Sequence, residues 1–342
     1  MPSTHPRGAS RRRRRAAVLA APGDGGFAER AEPPLDVVAG TVLDASPHLL
    51  ILAASTMGAA GRATAGGDSA VETSGPAVAG TLAERHISLG QGPAGGEVRI
   101  ALRDDTSVWH GGRGGPAALR PGRSVIIRQG EEGLSAGRVW VDIQRVAGTI
   151  VACGRDTVEV DMGPHRGRTH VVIPPDAFER VLVRHPRLEP GYLIDVICVR
   201  TPEGPRAVRP GTSQPGYRPD ALAAPDAAEA VPGVLRGTAT WFGGAGDETP
   251  DGAAYPAVDS EGYAGGCADA PSGCVPFPYL SLGSGVAVRN ECGGRAAFVP
   301  VVECGCTAAR FCDRCVECGA SPRGRIVELT PAVFAGLGGE LD

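Results

Sequence analysis

Gly324-Arg-Ile-Val-Glu328-Leu-Thr330-Pro-Ala-Val-Phe334-Ala-Gly-Leu-Gly338 reads as a short strand running directly into a short helix. Thr330 is a helix N-cap residue type, and Pro331 suits the first helical position because its missing N–H would be unpaired there anyway. Leu329, Val333, Phe334 and Leu337 recur at helical spacing and would form the buried side. Upstream, the chain repeats short Val-rich stretches separated by glycine turns: Gly237-Thr-Ala-Thr-Trp-Phe-Gly243, Leu280-Ser-Leu-Gly-Ser-Gly-Val-Ala-Val-Arg-Asn290 and Arg295-Ala-Ala-Phe-Val-Pro-Val-Val-Glu303. Such runs, bounded by turn residues, are strand signals. Residues 233–342 therefore read as a series of short strands with a closing helix.

Five segments in order resemble the rare lipoprotein A and expansin domains. Gly237–Gly243 is similar to the family's opening strand, which ends in Trp-Tyr-Gly or Phe-Tyr-Gly. Thr249-Pro-Asp-Gly252 with Tyr255 resembles its Thr-Ala-Ser-Gly…Tyr loop. Leu280–Asn290 resembles Leu-Pro-Phe-Gly-Thr-x-Val-x-Val-x-Asn, and Arg295–Glu303 the strand leading to Asp-Arg-Gly-Pro. Gly324–Gly338 is similar to the closing Gly-Arg-x-Ile-Asp-Leu-Ser motif and its helix. The resemblance covers about a third of the chain. It implies a six-stranded double-psi β-barrel, cysteine-rich here, acting on or binding a cell-wall glycan, with peptidoglycan the expected partner.

Glycan cleavage needs a proton donor and usually a second carboxylate. The resemblance puts Glu303 and Glu328 at the family's two acidic positions, as candidate catalytic groups of a lytic transglycosylase. The family's histidine before the Leu-Pro-x-Gly-Thr segment is missing, since the last histidine is His185. Cys304 and Cys306 replace the Arg and Pro of the family turn. Weak or absent lysis with retained glycan binding or remodelling is the resulting expectation. Trp241, Tyr255 and Tyr279 are candidate sugar-stacking residues, because the apolar face of a pyranose packs on an aromatic ring. Asp251 joins them from the Thr249–Gly252 loop. Tyr255, after a turn-rich loop, is the one expected to be most exposed.

Eight of the ten cysteines fall late in the chain: Cys267, Cys274, Cys292, Cys304, Cys306, Cys312, Cys315 and Cys318. An even number in a small loop-rich domain reads as disulfides if the chain is exported, though eight cysteines allow 105 pairings. No cofactor is then needed. Cys304, Cys306, Cys312, Cys315 and Cys318 also have the spacing of a tetrahedral zinc site, which keeps open a zinc-stabilised interaction protein with no enzymatic role. Cys153 and Cys198 lie apart from this group.

The preceding part contains an internal repeat. Ala39-Gly-Thr-Val42 recurs as Ala147-Gly-Thr-Ile150, and Leu119-Arg-Pro-Gly122-Arg-Ser-Val-Ile-Ile-Arg128 recurs as Leu188-Glu-Pro-Gly191-Tyr-Leu-Ile-Asp-Val-Ile-Cys-Val-Arg200. Alternation in Thr157–Met162 and Arg138–Ile143 marks half-buried strands. Two small OB-like barrels are expected over residues 35–146 and 147–205, the first carrying a loose insertion over 53–80. Residues 206–232 read as a linker, so that 35–205 and 233–342 would fold separately. The whole chain is thus expected to be all-β.

Residues 1–34 read as a disordered arm or a degenerate export signal, since Arg11–Arg15 precede only six apolar-leaning residues. The location is then secreted or cell-envelope, with a cytoplasmic alternative. The net charge is −4 and every one of the 34 basic residues is arginine. Residues 233–342 hold 13 acidic residues against 7 arginines, which disfavours nucleic acid as a partner and is compatible with a neutral sugar chain. No stretch has the roughly 20 apolar residues of a membrane span, and the sequence does not determine an oligomeric state.

Overall fold

The computed structural model describes residues 16–20, 31–58, 96–112, 114–130, 134–212, 218, 234–258, 277–305, 307–313 and 324–342. The protein is all-β. Strand β1 (Ala16–Ala20) precedes the first repeat, which contains β2 (Val37–Ala45), β3 (Leu49–Gly58), β4 (Glu97–Ala101), β5 (Ser107–Trp109), β6 (Ser124–Gln129) and β7 (Ala136–Val141). The second repeat contains β8 (Ile143–Cys153), β9 (Thr157–Asp161), β10 (Arg168–Val172), helix α1 (Pro175–Leu182), β11 (Leu193–Thr201) and β12 (Gly204–Pro210). The remainder contributes β13 (Val234–Trp241), β14 (Gly243–Gly244), β15 (Ala253–Tyr255), β16 (Gly285–Asn290), β17 (Ala296–Cys304), β18 (Arg325–Leu329) and helix α2 (Pro331–Gly336).

The two repeats share one strand order. In the second, β11-β12-β10-β9-β8 closes through β8–β11 pairing, and β10 and β12 run parallel. With α1 between the third and fourth strands, this is the five-stranded OB arrangement. The first repeat follows it as β4-β3-β2-β6-β7, closed by a parallel bridge between Ala101 and Ser135. The repeated motifs have physical causes. A Cβ on Gly40 would lie 2.4 Å from the Ala53 carbonyl oxygen, and one on Gly148 2.1 Å from that of Asp161, so the neighbouring strand leaves room only for glycine. Gly122 and Gly191 turn with φ of 85° and 88° and donate matching N–H bonds to Val42 and Ile150.

Repeat boundaries differ from the sequence reading. Ala53–Gly58 belong to β3 rather than to the insertion, because their backbone pairs with β2. The second repeat runs on to Pro210, past the expected linker start at 206. Residues 59–80 of the insertion, the stretch 81–95 that follows it and most of the linker lie outside the described residues.

The C-terminal strands form a closed six-stranded barrel in the order β1-β13-β18-β15-β17-β16. β13 and β18 pair in parallel, as do β15 and β17. The sixth strand corrects part of the reading of residues 1–34, of which 1–15 and 21–30 lie outside the described residues. Ala16–Ala20 is neither a disordered arm nor a free leader: it pairs antiparallel with β13 on one side and β16 on the other. Backbone hydrogen bonding, which an Ala-Val-Leu run supplies as well as any other, fills a slot that β13 and β16 leave between them. In α2, Thr330 occupies the N-cap position but does not cap. Its hydroxyl donates instead to Asp251 Oδ1 at 3.1 Å and accepts from the Gly252 N–H at 3.2 Å.

The expected separation into two independently folding parts is not what the packing shows. One buried apolar cluster joins Val37, Trp109, Ile126, Trp140, Ile143, Ile197 and Val199 of the repeats to Leu235, Trp241, Tyr255, Leu329 and Phe334 of the barrel. β14 pairs with β8. The C-terminal tail returns to the first repeat, where Arg128 binds Glu340 at 2.7 Å and Trp140 donates to Asp342 at 3.0 Å.

Candidate functional site

β15 is the central strand of the site. Ala254 pairs with Glu303 on one side and with Glu328 on the other. Strands in a sheet lie about 4.8 Å apart, so the two glutamates stand on one row about 10 Å from each other at the backbone. The resemblance thus leads to two residues that the fold does bring together.

What lies between them is Arg166, from the β9–β10 connection of the second repeat. Its Nε donates to Glu303 at 2.5 Å and its Nη1 to Glu328 at 2.8 Å. The guanidinium sits 4.3 Å from the ring centroid of Phe242. Burial alone would lower the Arg166 pKa, but Glu328 and Glu303 outweigh it and the net shift is upward. Glu328 is fully buried, whereas the Glu303 side chain keeps 20% of its surface.

Behind Glu328 a buried chain of alternating charges crosses the junction. Arg325 donates to Glu328 at 3.2 Å, to Asp195 at 2.7 Å and to Asp313 at 2.6 Å. Asp195 also accepts two N–H bonds from Arg145, at 2.9 and 2.6 Å. Asp313 accepts from Thr212 at 2.5 Å. Burial by itself would raise the Asp195 pKa; the Arg145 and Arg325 guanidiniums outweigh it and hold the carboxyl well below the usual range. Three arginines thus face four carboxylates.

A cleft of about 170 Å³ opens at this point, lined by Gln144, Arg145 and Arg166 from the second repeat and by Trp241, Phe242, Thr249, Glu303 and Glu328 from the barrel side, among others. A second cleft of about 410 Å³ shares Phe242, Gly243, Asp247 and Thr249 with it and extends towards the first repeat, past Asp251 and Thr330.

The other expected site residues divide. Trp241 lines the smaller cleft but is only 1% exposed and is chiefly core. Tyr255 corrects the expectation of an exposed platform. It is 1% exposed, its hydroxyl donates to the Pro278 carbonyl at 2.9 Å, and its ring packs edge-on against Phe277, because β15 is a barrel strand whose three residues are all buried. Burial pushes its phenol pKa up. Asp251 lines the larger cleft, its pKa raised by burial against the bond from Thr330. Tyr279 is exposed but lines neither cleft.

Cys292, Cys304 and Cys312 are disulfide-bonded, while Cys153 and Cys198 are free thiols. A bonded sulfur is not a thiolate, so Cys304 and Cys312 do not offer zinc ligands in this state. Cys267, Cys274, Cys306, Cys315 and Cys318 lie outside the described residues. Among the described residues no three His, Cys, Asp or Glu side chains converge on a metal position, and no helix is long and apolar enough to cross a membrane.

Arg166, Arg145, Asp195 and Arg325 escape a sequence reading centred on the barrel motifs. Asp195 carries a signal, as a lone carboxylate inside the apolar run Leu193–Val199, which calls for a buried cation. Arg166, in a Gly-Pro-His-Arg-Gly turn, carries none. No family model matches the chain, and no curated protein matches it.

Proposed function

We propose that this protein binds or remodels a cell-wall glycan, peptidoglycan, at the cleft beside Glu303 and Glu328, with weak or no lytic activity. The observation that carries the reading is the engagement of both glutamates by Arg166. A general acid must carry a proton and be free to deliver it to the glycosidic oxygen. Here each glutamate instead accepts an N–H from a guanidinium. Glu303 keeps its second oxygen without a partner among the described residues, available to accept a sugar hydroxyl. The cleft lining combines polar and charged side chains with Trp241 and Phe242, a mixture compatible with a sugar ligand.

An exported, cell-envelope location goes with this reading. The disulfides at Cys292, Cys304 and Cys312 support it, since such bonds persist in oxidising compartments. Co-sedimentation with purified peptidoglycan tests the proposal. Wild-type protein should be retained and Glu303→Ala retained less; wild-type protein left wholly in the supernatant would refute it.

A further inference from the structure

We infer that the β9–β10 turn of the second repeat is an autoinhibitory plug: by placing Arg166 between Glu303 and Glu328 it silences a latent glycan-cleaving acid pair, an inference that rests on the glycan reading of the cleft. The two glutamates stand on barrel strands β17 and β18, whereas the cation between them comes from a turn 137 residues before Glu303. The contact is thus made by one barrel upon another.

The turn is shaped without help from the acids. Gly163 and Gly167 take φ of 101° and 64°. The Gly167 N–H donates to the Gly163 carbonyl at 2.9 Å, and the Met162 N–H to the Gly167 carbonyl at 2.9 Å. Asp161 Oδ1 accepts from the Gly163 N–H at 2.9 Å. All of these partners lie within the second repeat, so the repeat itself holds the tip in shape and presents Met162 and Arg166 to the cleft. The Phe242 ring, 4.3 Å from the guanidinium, holds Arg166 from the barrel side.

Charge decides what the plug does. Two neighbouring carboxylates with no cation between them resist ionising together, and one takes up a proton. Arg166 relieves that conflict, leaving both glutamates charged and neither able to act as an acid. Without Arg166 the pair becomes unequal. Glu328 keeps Arg325 at 3.2 Å, while Glu303 has no other cationic partner among the described residues. Glu303 then carries the proton and Glu328 the charge, which is the division that glycoside hydrolysis uses. Both line the cleft, where the Arg166 side chain no longer covers them. Glu303 gives its proton to the glycosidic oxygen, the C1–O bond breaks, and a water adds to C1 as its proton passes to Glu328.

Full-length variants incubated with purified peptidoglycan test this, with bound protein, soluble muropeptide and melting temperature measured for each. Arg166→Met should stay bound and release muropeptide on the order of a hundred-fold faster than wild type, the lower end of what a positioned general acid contributes. Adding Glu303→Gln to it should abolish the release. Arg166→Lys keeps a cation between the glutamates and should stay silent. If Arg166→Met does not fold, Arg166→Gln, polar but uncharged, takes its place with the same expectation. A folded, bound variant of either kind that releases no more than wild type overturns the inference and leaves the glycan reading standing. Release that survives Glu303→Gln, or that Arg166→Lys shows equally, also overturns it. Failure of wild type and variants alike to bind peptidoglycan removes the glycan reading itself, and the inference with it.

Discussion

Asp195, in the middle of β11, and Arg325, at the start of β18, form a 2.7 Å salt bridge in which neither side chain is exposed. They belong to different barrels and lie 130 residues apart. Removing one partner of such a pair leaves a buried charge unmatched, which costs about 3–5 kcal/mol. Asp195→Ala takes from Arg145 its only carboxylate partner among the described residues and from Arg325 one of three, and should destabilise the protein by about that much in urea unfolding. Because the pair spans the junction, the second repeat and the barrel should be lost together, in one transition. A loss below about 1 kcal/mol, or two well-separated transitions in the wild type, would contradict this.

His185 gives the fold a pH dependence. It is 1% exposed, its Nε2 lies 3.0 Å from the Asp195 carbonyl oxygen, and burial lowers its pKa. In the unfolded chain it titrates near 6.5, so below about that pH the unfolded state binds a proton that the folded state refuses. Stability from His185 is therefore present above about pH 6.5 and lost as the pH falls further. The urea midpoint should drop between pH 7 and 5, and His185→Gln should flatten that segment. A wild-type midpoint constant over the range would count against it.

Gly148 should not tolerate a side chain. A Cβ there would lie 2.1 Å from the Asp161 carbonyl oxygen and 2.8 Å from its carbon, both backbone atoms of the paired strand. Gly148→Ala should cost about 1–3 kcal/mol by overpacking. Gly40→Ala, at the equivalent place in the first repeat, should cost a similar amount. An unchanged melting temperature for either would show that the strands can separate without penalty.

Deleting residues 1–20 should open the C-terminal barrel. β1 is hydrogen-bonded to both β13 and β16, so its removal exposes two unpaired edges. The expected result is a lower melting temperature and concentration-dependent self-association, seen by light scattering. A monomer of unchanged stability would mean that the barrel closes without this strand.

The repeats were legible because a glycine forced by close strand approach and a Pro-Gly turn leave marks in the sequence, at Gly40 and Gly148 and again at Gly122 and Gly191. Alternation marked individual strands, but their order in the sheets comes from the pairing in the fold. Glu303 and Glu328 were also found, through motif resemblance, and the register around Ala254 explains why they meet. β1 was misread because Ala16–Ala20 has the composition of a leader, and strand pairing is decided by the slot it fills rather than by its own side chains. Tyr255 was misread because a loop on its N-terminal side says nothing of the barrel interior it then enters. Arg166 left no trace, since its role exists only once two barrels are placed side by side.

The central proposal is that the acid pair anchors a glycan with little or no cleavage. Wild-type protein incubated with purified peptidoglycan, with bound protein and soluble muropeptides measured in the same sample, tests it directly. The account predicts retention of the protein with no more soluble muropeptide than in the protein-free control. Muropeptide release that rises with protein concentration and vanishes in Glu303→Gln would contradict it.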